Sequence, residues 1–482
     1  MIFADNKRYH TLNHYYQQTF GEKVFKVSLN GGFTCPNIDG TVGIGGCIFC
    51  SSKGSGDFAG NAGDDLLEQF NQTKSTLHKK WPEGKYIPYF QANTNTYAPV
   101  EKLEKIYNEV LNFDDVVGLS LATRPDAISD DALNLLDKLS KQTYLTVELG
   151  LQSIHDETLK LINRGHDFAC FHAMQAKLRE RKINVVVHII NGLPYESKEM
   201  MLETAAYLHK INPHGVKIHM LHILKNTALY EQEKFHLLSR EEYVDIVCDQ
   251  LEMLRNTTVI HRITGDADFS QLIQPEWIKK KFCVMNEIDK ELRKRRTYQG
   301  FRTNILNKAR QLLEINMDKN DLVIDATIGN GNDTLFLCNL AHRGHVFGFD
   351  IQQIAIEKTD ALLQENNKSN YTLHHASHDL MSDYLAEYSG KISAAIFNLG
   401  YLPNGDKSIT TKTETTIKAI KSALSLLKEN GIILIVAYPH EEGKSEAAEI
   451  MKLAENGVKI ETFRNTEHEN SPHLIVLRVK SK

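Results

Sequence analysis

No stretch of the 482-residue chain is apolar enough to cross a bilayer as a helix, which sets aside an integral helical membrane protein. Strong charge of one sign is also missing. The 56 lysines and arginines stand against 61 acidic residues, a net charge of −5 that does not suit a protein coating nucleic acid non-specifically but leaves room for local basic patches. The start, MIFADNKRYHTLNHYYQQ, lacks the basic-then-apolar pattern of a secretory leader, so the expectation is a cytoplasmic protein. Cysteine is scarce and odd in number, at seven, which argues for a reducing compartment and against a disulfide framework. What remains is an ordinary globular composition with room for two or three domains.

Three of those seven cysteines share one loop, NGGFTCPNIDGTVGIGGCIFC at 30–50, spaced C-x11-C-x2-C at Cys35, Cys47 and Cys50. Its glycines let the loop fold back until three thiolates point at one place, and converging thiolates need a metal. Two readings stay open on the residues alone. Tetrahedral zinc would need a fourth ligand, with Asp39 or Asp57 in range, whereas a 4Fe-4S cluster would keep one iron open to a small molecule. Cys170, Cys248, Cys283 and Cys338 are isolated and read as plain thiols.

Apolar runs at 24–29, 86–91, 116–122, 144–149, 183–190 and 216–221 alternate with amphipathic helical stretches at 64–80, 99–111, 130–139, 168–181 and 197–210. This rhythm predicts parallel strands in six βα units, enough for an open barrel but short of the eight that close one. The strand ends carry polar residues: Gln91 and Thr94 to Thr96, then Thr123, Arg124 and Asp126, then Glu148, Gln152 and Ser153, then Asn191, and finally Lys217, His219 and His222. Five polar ends around one rim predict a binding site there.

Together with the cysteine loop, the segments GLSLATRPD, VELGLQSIHDETLKLINRGH and HIINGLP resemble the radical-SAM superfamily, most closely its YtqA-like (MnmL) branch, over residues 4–300. The resemblance implies that Cys35, Cys47 and Cys50 hold a 4Fe-4S cluster whose open iron binds S-adenosylmethionine. It also implies contacts from Gln152 and Arg164 to that cofactor, and an external electron donor. The segment 231–299 reads as mainly helical, broken at 260–268, and resembles the family's C-terminal extension.

Near 298–303 the pattern changes without a glycine-serine linker. A strand at 322–324 ends in Asp325, and a loop with Gly329 and Gly331 opens a helix near Asn332, a unit that cradles a nucleotide or adenosyl group. The next strand, 345–349, ends in Asp350, where an acidic residue meets ribose hydroxyls. Further strands at 371–374, 392–397, 432–437, 458–463 and 474–479 make seven, the last two antiparallel. This count and NLGYLP at 398–403 resemble a Rossmann-like class I S-adenosylmethionine methyltransferase, specifically the YtqB-like (MnmM) family over 302–482. The resemblance implies a donor pocket at Asn330, Asn332, Asp333, Asp350, Gln352, Ser377 and His378. Asn398 and Tyr401 would place the acceptor amine, and His440 and His473 are further candidates on that side.

The expected architecture is therefore α/β throughout: a radical-SAM partial (βα)6 barrel at 1–300, then a methyltransferase at 302–482, with two S-adenosylmethionine sites. Both resembled families are associated with the tRNA wobble uridine. The pairing implies conversion of 5-carboxymethylaminomethyl(-2-thio)uridine to the 5-aminomethyl form and its N-methylation to 5-methylaminomethyl(-2-thio)uridine. A radical enzyme of other substrate joined to an rRNA methyltransferase is the alternative, and a non-enzymatic metal-bound scaffold a more distant one. A basic cluster, Lys279 to Lys281, Arg293 to Arg296, Arg302, Lys308 and Arg310, reads either as solvated helix faces or as a grip on tRNA phosphates.

Overall fold

The computed structural model describes residues 5–51, 54, 56, 59–231, 235–399, 411–438, 441–453, 458–464 and 472–479. They divide into two compact units, Met1–Gly300 and Phe301–Lys482.

In the first unit, strands β1 (Val24–Leu29), β2 (Lys85–Phe90), β3 (Gly118–Thr123), β4 (Tyr144–Gln152), β5 (Asn184–Asn191) and β6 (Gly215–Met220) follow one another in a parallel sheet in chain order. Such a sheet is buried on both faces, so β2 is buried at five of its six positions and reads as a run, not an alternation. The helices between strands begin where a side chain satisfies their first N–H groups. Ser129 accepts from Ala132, Asp167 from Cys170 and Ser197 from Met200, and Ser239 with Glu242 forms a reciprocal capping box.

A seventh strand, β7 (Val259–Arg262), extends the sheet parallel to β6, where the sequence pattern predicts only a break between helices. Four residues, two of them His261 and Arg262, give too little period to mark a strand. Its hydrogen bonds to β6, 44 residues earlier, create it. The open half-barrel is otherwise as expected.

In the second unit, β8 (Leu322–Asp325), β9 (His345–Asp350), β10 (Tyr371–His375), β11 (Ile392–Asn398), β12 (Leu427–Ala437), β13 (Val458–Arg464) and β14 (His473–Val479) form one sheet. Its order is β10-β9-β8-β11-β12-β14-β13, parallel except for β14, which runs antiparallel to both β12 and β13. This is a seven-stranded Rossmann-like sheet, as the strand count predicts. Successive strand residues serve opposite cores. Ile324, Phe347, Ala395 and Ile433 pack on one face, and Val323, Val346, Ile396 and Leu434 on the other, so helices cover both sides. The chain order reverses beside β8, and such a switch point opens a crevice at the strands' carboxyl ends.

Among the described residues no helix is long and apolar enough to cross a membrane.

Candidate functional sites

The carboxyl ends of the first sheet surround a cavity of about 750 Å³ that Cys35, Cys47 and Cys50 line together with Gln152 and Arg164. The loop reaches this position by turns of its own. Ile38 N–H bonds the Cys35 carbonyl at 2.8 Å and Cys50 N–H the Cys47 carbonyl at 3.0 Å, while Gly45 and Gly46 take φ of 81° and 75°, where a side chain would be strained. Asn37 Nδ2 donates to the Asn163 carbonyl and Asn163 Nδ2 to the Gly46 carbonyl, each at 2.7 Å, and so clamp the loop to the turn that carries Arg164.

Arg164 is 6% exposed; its Nη2 donates to the Gly150 carbonyl at 2.8 Å and its Nη1 approaches Cys47 Sγ at 3.5 Å. A Cβ on Gly150 would stand 2.6 Å from that Nη2, so glycine is required for the approach. Two buried guanidinium atoms here, Arg164 Nε and Arg124 Nη1, have no partner among the described residues, although Arg124 is otherwise fixed by Asp126 through paired bonds of 2.9 and 2.8 Å. Hydrogen bonding by Cys50, against the opposing pull of burial and with help from the Arg164 charge, holds the Cys47 thiol well below the usual thiol range. Thiolate is the form that ligates metal.

These residues fit a 4Fe-4S cluster with an anionic small molecule beside it: three cysteines line the same cavity as two guanidinium groups with buried donors unpartnered among the described residues. Among the described residues no three His, Cys, Asp or Glu side chains gather as a single-ion site does. Asp39, the described member of the zinc alternative, bonds Thr41 N–H at 3.1 Å; Asp57 lies outside the described residues.

Below the cysteines the cavity floor is charged, which the sequence only half disclosed. Glu148 is fully buried and meets Lys26 at 2.5 Å, Lys217 at 2.5 Å, His188 at 2.7 Å and Ser120 at 3.0 Å. Burial alone would raise its pKa, but Lys217 and Lys26 outweigh that and hold it well below the carboxylate range. Burial lowers His188 to about 4, so a neutral ring donates its Nε2–H to Glu148. A lysine on a strand of mixed pattern reads as solvent-facing, and only the curl of the sheet turns Lys26 inward.

In the second unit the glycine loop is built on two carboxylates. Asp325 is 1% exposed, accepts from Thr334 Oγ1 at 2.7 Å and Thr327 N–H at 3.2 Å, and is pushed up to about 7 by burial and by the Asp333 charge. It therefore braces the loop from beneath. Asp350 accepts from Gly329 N–H at 3.0 Å and Gln352 N–H at 2.9 Å, which ties the ends of β8 and β9 together. Gly331, at φ 76°, caps the helix Asn332–Leu340 where a Cβ would meet Thr359 at 2.7 Å.

Asp333 pairs with Arg310 at 2.8 Å and receives the Asn398 amide at 3.4 Å, while Asn398 N–H bonds Thr327 Oγ1 at 2.7 Å. The structure thus gathers Asp325, Gly329, Asp333, Asp350, Gln352 and Asn398 around the ends of β8, β9 and β11. His378, directly after Ser377, shares a 3.3 Å hydrogen bond between Nδ1 and the Ala326 carbonyl; its Nε2 is buried without a partner among the described residues. Asn330 is half-buried and Asn332 exposed on the same loop. Tyr401 and His440 lie outside the described residues.

Of the basic cluster, several members are already engaged. Lys281 pairs with Asp266, Arg310 with Asp333, and Lys308 lies 5.2 Å over the Phe463 ring. Arg295 is half-buried among Asp245, Asp249, Glu252 and Glu291, so it is structural and not a free phosphate ligand. Arg293 and Arg296 are exposed, as are Lys279, Lys280 and Lys294.

The chain matches the radical SAM superfamily over residues 42–208, the radical SAM C-terminal domain over 213–294 and the rRNA methylase family over 346–478. It is 54% identical over 297 residues to protein YtqA of Bacillus subtilis, covering 61% of this chain and 92% of that protein. It is 37% identical over 154 residues to the chloroplastic tRNA (mnm(5)s(2)U34)-methyltransferase of Arabidopsis thaliana, covering 30% of this chain and 56% of that protein. Among solved structures, an rRNA methylase from Streptococcus thermophilus is 28% identical, with 37% of this chain and 98% of that chain covered at a TM-score of 0.32.

Proposed function

Because the chain belongs to the YtqA-like family of radical-SAM enzymes and carries an S-adenosylmethionine-dependent methyltransferase behind it, we propose that it rebuilds the side chain of the tRNA wobble uridine in two consecutive steps. The first, in residues 1–300, removes the carboxymethyl unit of 5-carboxymethylaminomethyl(-2-thio)uridine to leave the 5-aminomethyl form. The second, in residues 302–482, methylates the exposed amine. The observation that carries this reading is the presence, on one chain with a radical-SAM cavity, of a relationship to a methyltransferase named for that nucleoside.

In the first unit Cys35, Cys47 and Cys50 would hold the cluster, with Gln152, Arg164 and Arg124 toward S-adenosylmethionine. When bound, cluster and cofactor supply one-electron reduction, drawn from an external donor, and a carbon-centred acceptor for a substrate hydrogen. The chain's own part is to exclude water, to neutralise the cofactor carboxylate through buried guanidinium groups, and to hold the substrate carbon in place.

In the second unit Asp350, Gln352, Asn330, Asn332, Ser377 and His378 would surround the donor on a loop braced by Asp325. Asn398 and Tyr401 would orient the amine, and a neutral amine held against a sulfonium needs little further help.

The protein, reconstituted anaerobically and given reductant, S-adenosylmethionine and tRNA bearing the carboxymethylaminomethyl group, is expected to yield first the aminomethyl and then the methylaminomethyl nucleoside on digestion. If only preformed aminomethyl tRNA is methylated, the first half acts on something else. The rRNA methylase match over 346–478 favours a second reading, and methyl transfer to ribosomal RNA but to no tRNA would select it.

For tRNA binding, the exposed cations matter. Charge reversal of Arg293, Lys294 and Arg296 together is expected to weaken tRNA binding and flatten its salt dependence by up to about three units of log–log slope. An unchanged slope would return these side chains to a solvated helix end.

A further inference from the structure

Six neighbouring strands send one side chain each into the layer beneath the cysteines: Lys26, Tyr89, Ser120, Glu148, His188 and Lys217. The charge there does not cancel. Two lysines face a single carboxylate, and His188 is held neutral by burial, so with both lysines protonated the layer carries one positive charge in excess. Uncompensated buried charge is costly, and a folded protein retains it where a ligand completes the set.

The hydrogen-bond count points the same way. Both oxygens of Glu148 are filled, one by Lys26 and Ser120 and the other by Lys217 and His188. Lys26 donates to Glu148 and Ser120, and Lys217 to Glu148 and Tyr89, which leaves one N–H on each ammonium without an acceptor among the described residues. Beside them His219 lines the cavity with a buried Nε2 that has no partner among the described residues, its ring 5.3 Å from that of His188. Two spare N–H groups, a spare imidazole nitrogen and one surplus positive charge are what a monoanionic carboxylate requires.

We propose that Lys26 and Lys217, set at their spacing by Glu148, are the receptor for the carboxylate of the substrate's carboxymethylamino tail. The inference rests on the two-step reading above and adds which residues recognise that substrate. Glu148 acts as a positioning residue, since its oxygens are occupied. Recognition by charge explains how the site would release its product: once the carboxymethyl unit is gone the tail is a cationic amine, which two lysines repel. Burial draws the Lys217 pKa down to about 7, and a carboxylate beside it would restore the ammonium.

A carboxylate also belongs to S-adenosylmethionine, so the test separates the two sources. The full-length, cluster-loaded protein is titrated without reductant or S-adenosylmethionine, using two tRNAs that differ only in carrying the carboxymethylaminomethyl or the methylaminomethyl group. The ratio of their affinities is compared among wild type, Lys26→Met, Lys217→Met and Glu148→Gln, with iron content as the check that the first unit is folded. The lysine variants are expected to lower the preference for the carboxylate-bearing tRNA about tenfold, and Glu148→Gln, which leaves both cations unopposed, to raise it.

A merely structural role would move all three variants in one direction. If Lys217→Met cannot hold iron, Lys26→Met and Glu148→Gln still decide by their opposite signs. Ratios equal to wild type in the folded variants overturn the proposal, as does a loss confined to S-adenosylmethionine affinity, titrated separately without tRNA, which would assign the lysines to the cofactor. Turnover by the wild type is measured separately. Its absence with the ratios shifted as expected would sink the reaction and leave the receptor standing; turnover with unshifted ratios would do the reverse.

Discussion

Cys47→Ala is expected to abolish iron binding and every reaction of the first unit while methylation of preformed aminomethyl tRNA continues at the wild-type rate. The three thiols line one cavity, and Cys47 is in contact with both Cys50 and Arg164, so its loss removes a ligand and strands the guanidinium that faces it. A cluster with two protein ligands in place of three is not retained. The second unit has its own core and its own sheet, which is why its chemistry should persist. Iron content, the visible absorption of the purified protein and a nucleoside digest together read the result. A Cys47→Ala protein that keeps a full complement of iron would show that the cysteine loop is not the cluster site.

Arg295→Ala is expected to destabilise the first unit by about 3–5 kcal/mol, against about 0.5 kcal/mol or less for its exposed neighbour Arg293→Ala. Arg295 Nη1 meets Asp249 at 2.8 Å and Glu252 at 3.2 Å, its Nε meets Glu291 at 3.1 Å, and its Nη2 pairs with Asp245. Burial opposes its charge, yet Glu291 and Glu252 more than compensate and raise its pKa. The side chains of Asp249 and Glu252 are 7% and 3% exposed, so removing the guanidinium leaves buried negative charge short of its counter-ion. The shift in urea midpoint of the first unit's transition measures this. Equal midpoints for the two variants would mean that the carboxylates find other partners. The same geometry explains why a tRNA-binding test must spare Arg295: its reversal would unfold the unit it was meant to probe.

Local pattern carried most of the fold. The strand at 24–29 matches β1 to the residue, and the rhythm of apolar runs and capped helices placed β2 to β6 within a few residues, because parallel strands buried on both faces leave an unmistakable apolar run. In the second half, the glycine loop after Asp325 and the acidic end of β9 were visible because φ above zero and helix N-termini demand particular residues at fixed spacing. β7 was not visible. Val259–Arg262 is a strand only through its pairing with β6, and nothing local distinguishes it from a break between helices.

The cysteines were legible as chemistry from their spacing, Gln152 and Arg164 only through the family resemblance, and all five line one cavity. The roles of single charged residues were not legible. Asp325 reads in the sequence as part of an adenosyl-cradling turn, and the structure shows it buried and bonded to Thr334 and Thr327 within that turn. Arg295 reads as one of a row of solvated cations and proves to be the hub of four carboxylates.

The amino-acid sequence by itself determined two α/β units and the residue types that make a thiolate loop and an adenosyl-binding turn, since those depend on local period, backbone freedom and spacing. The tertiary structure alone decided which charges are paired. Coulomb energy depends on distance and burial, and the Lys26, Glu148 and Lys217 set is assembled from β1, β4 and β6, across 191 residues of chain from Lys26 to Lys217, by the curl of a sheet that no local pattern encodes.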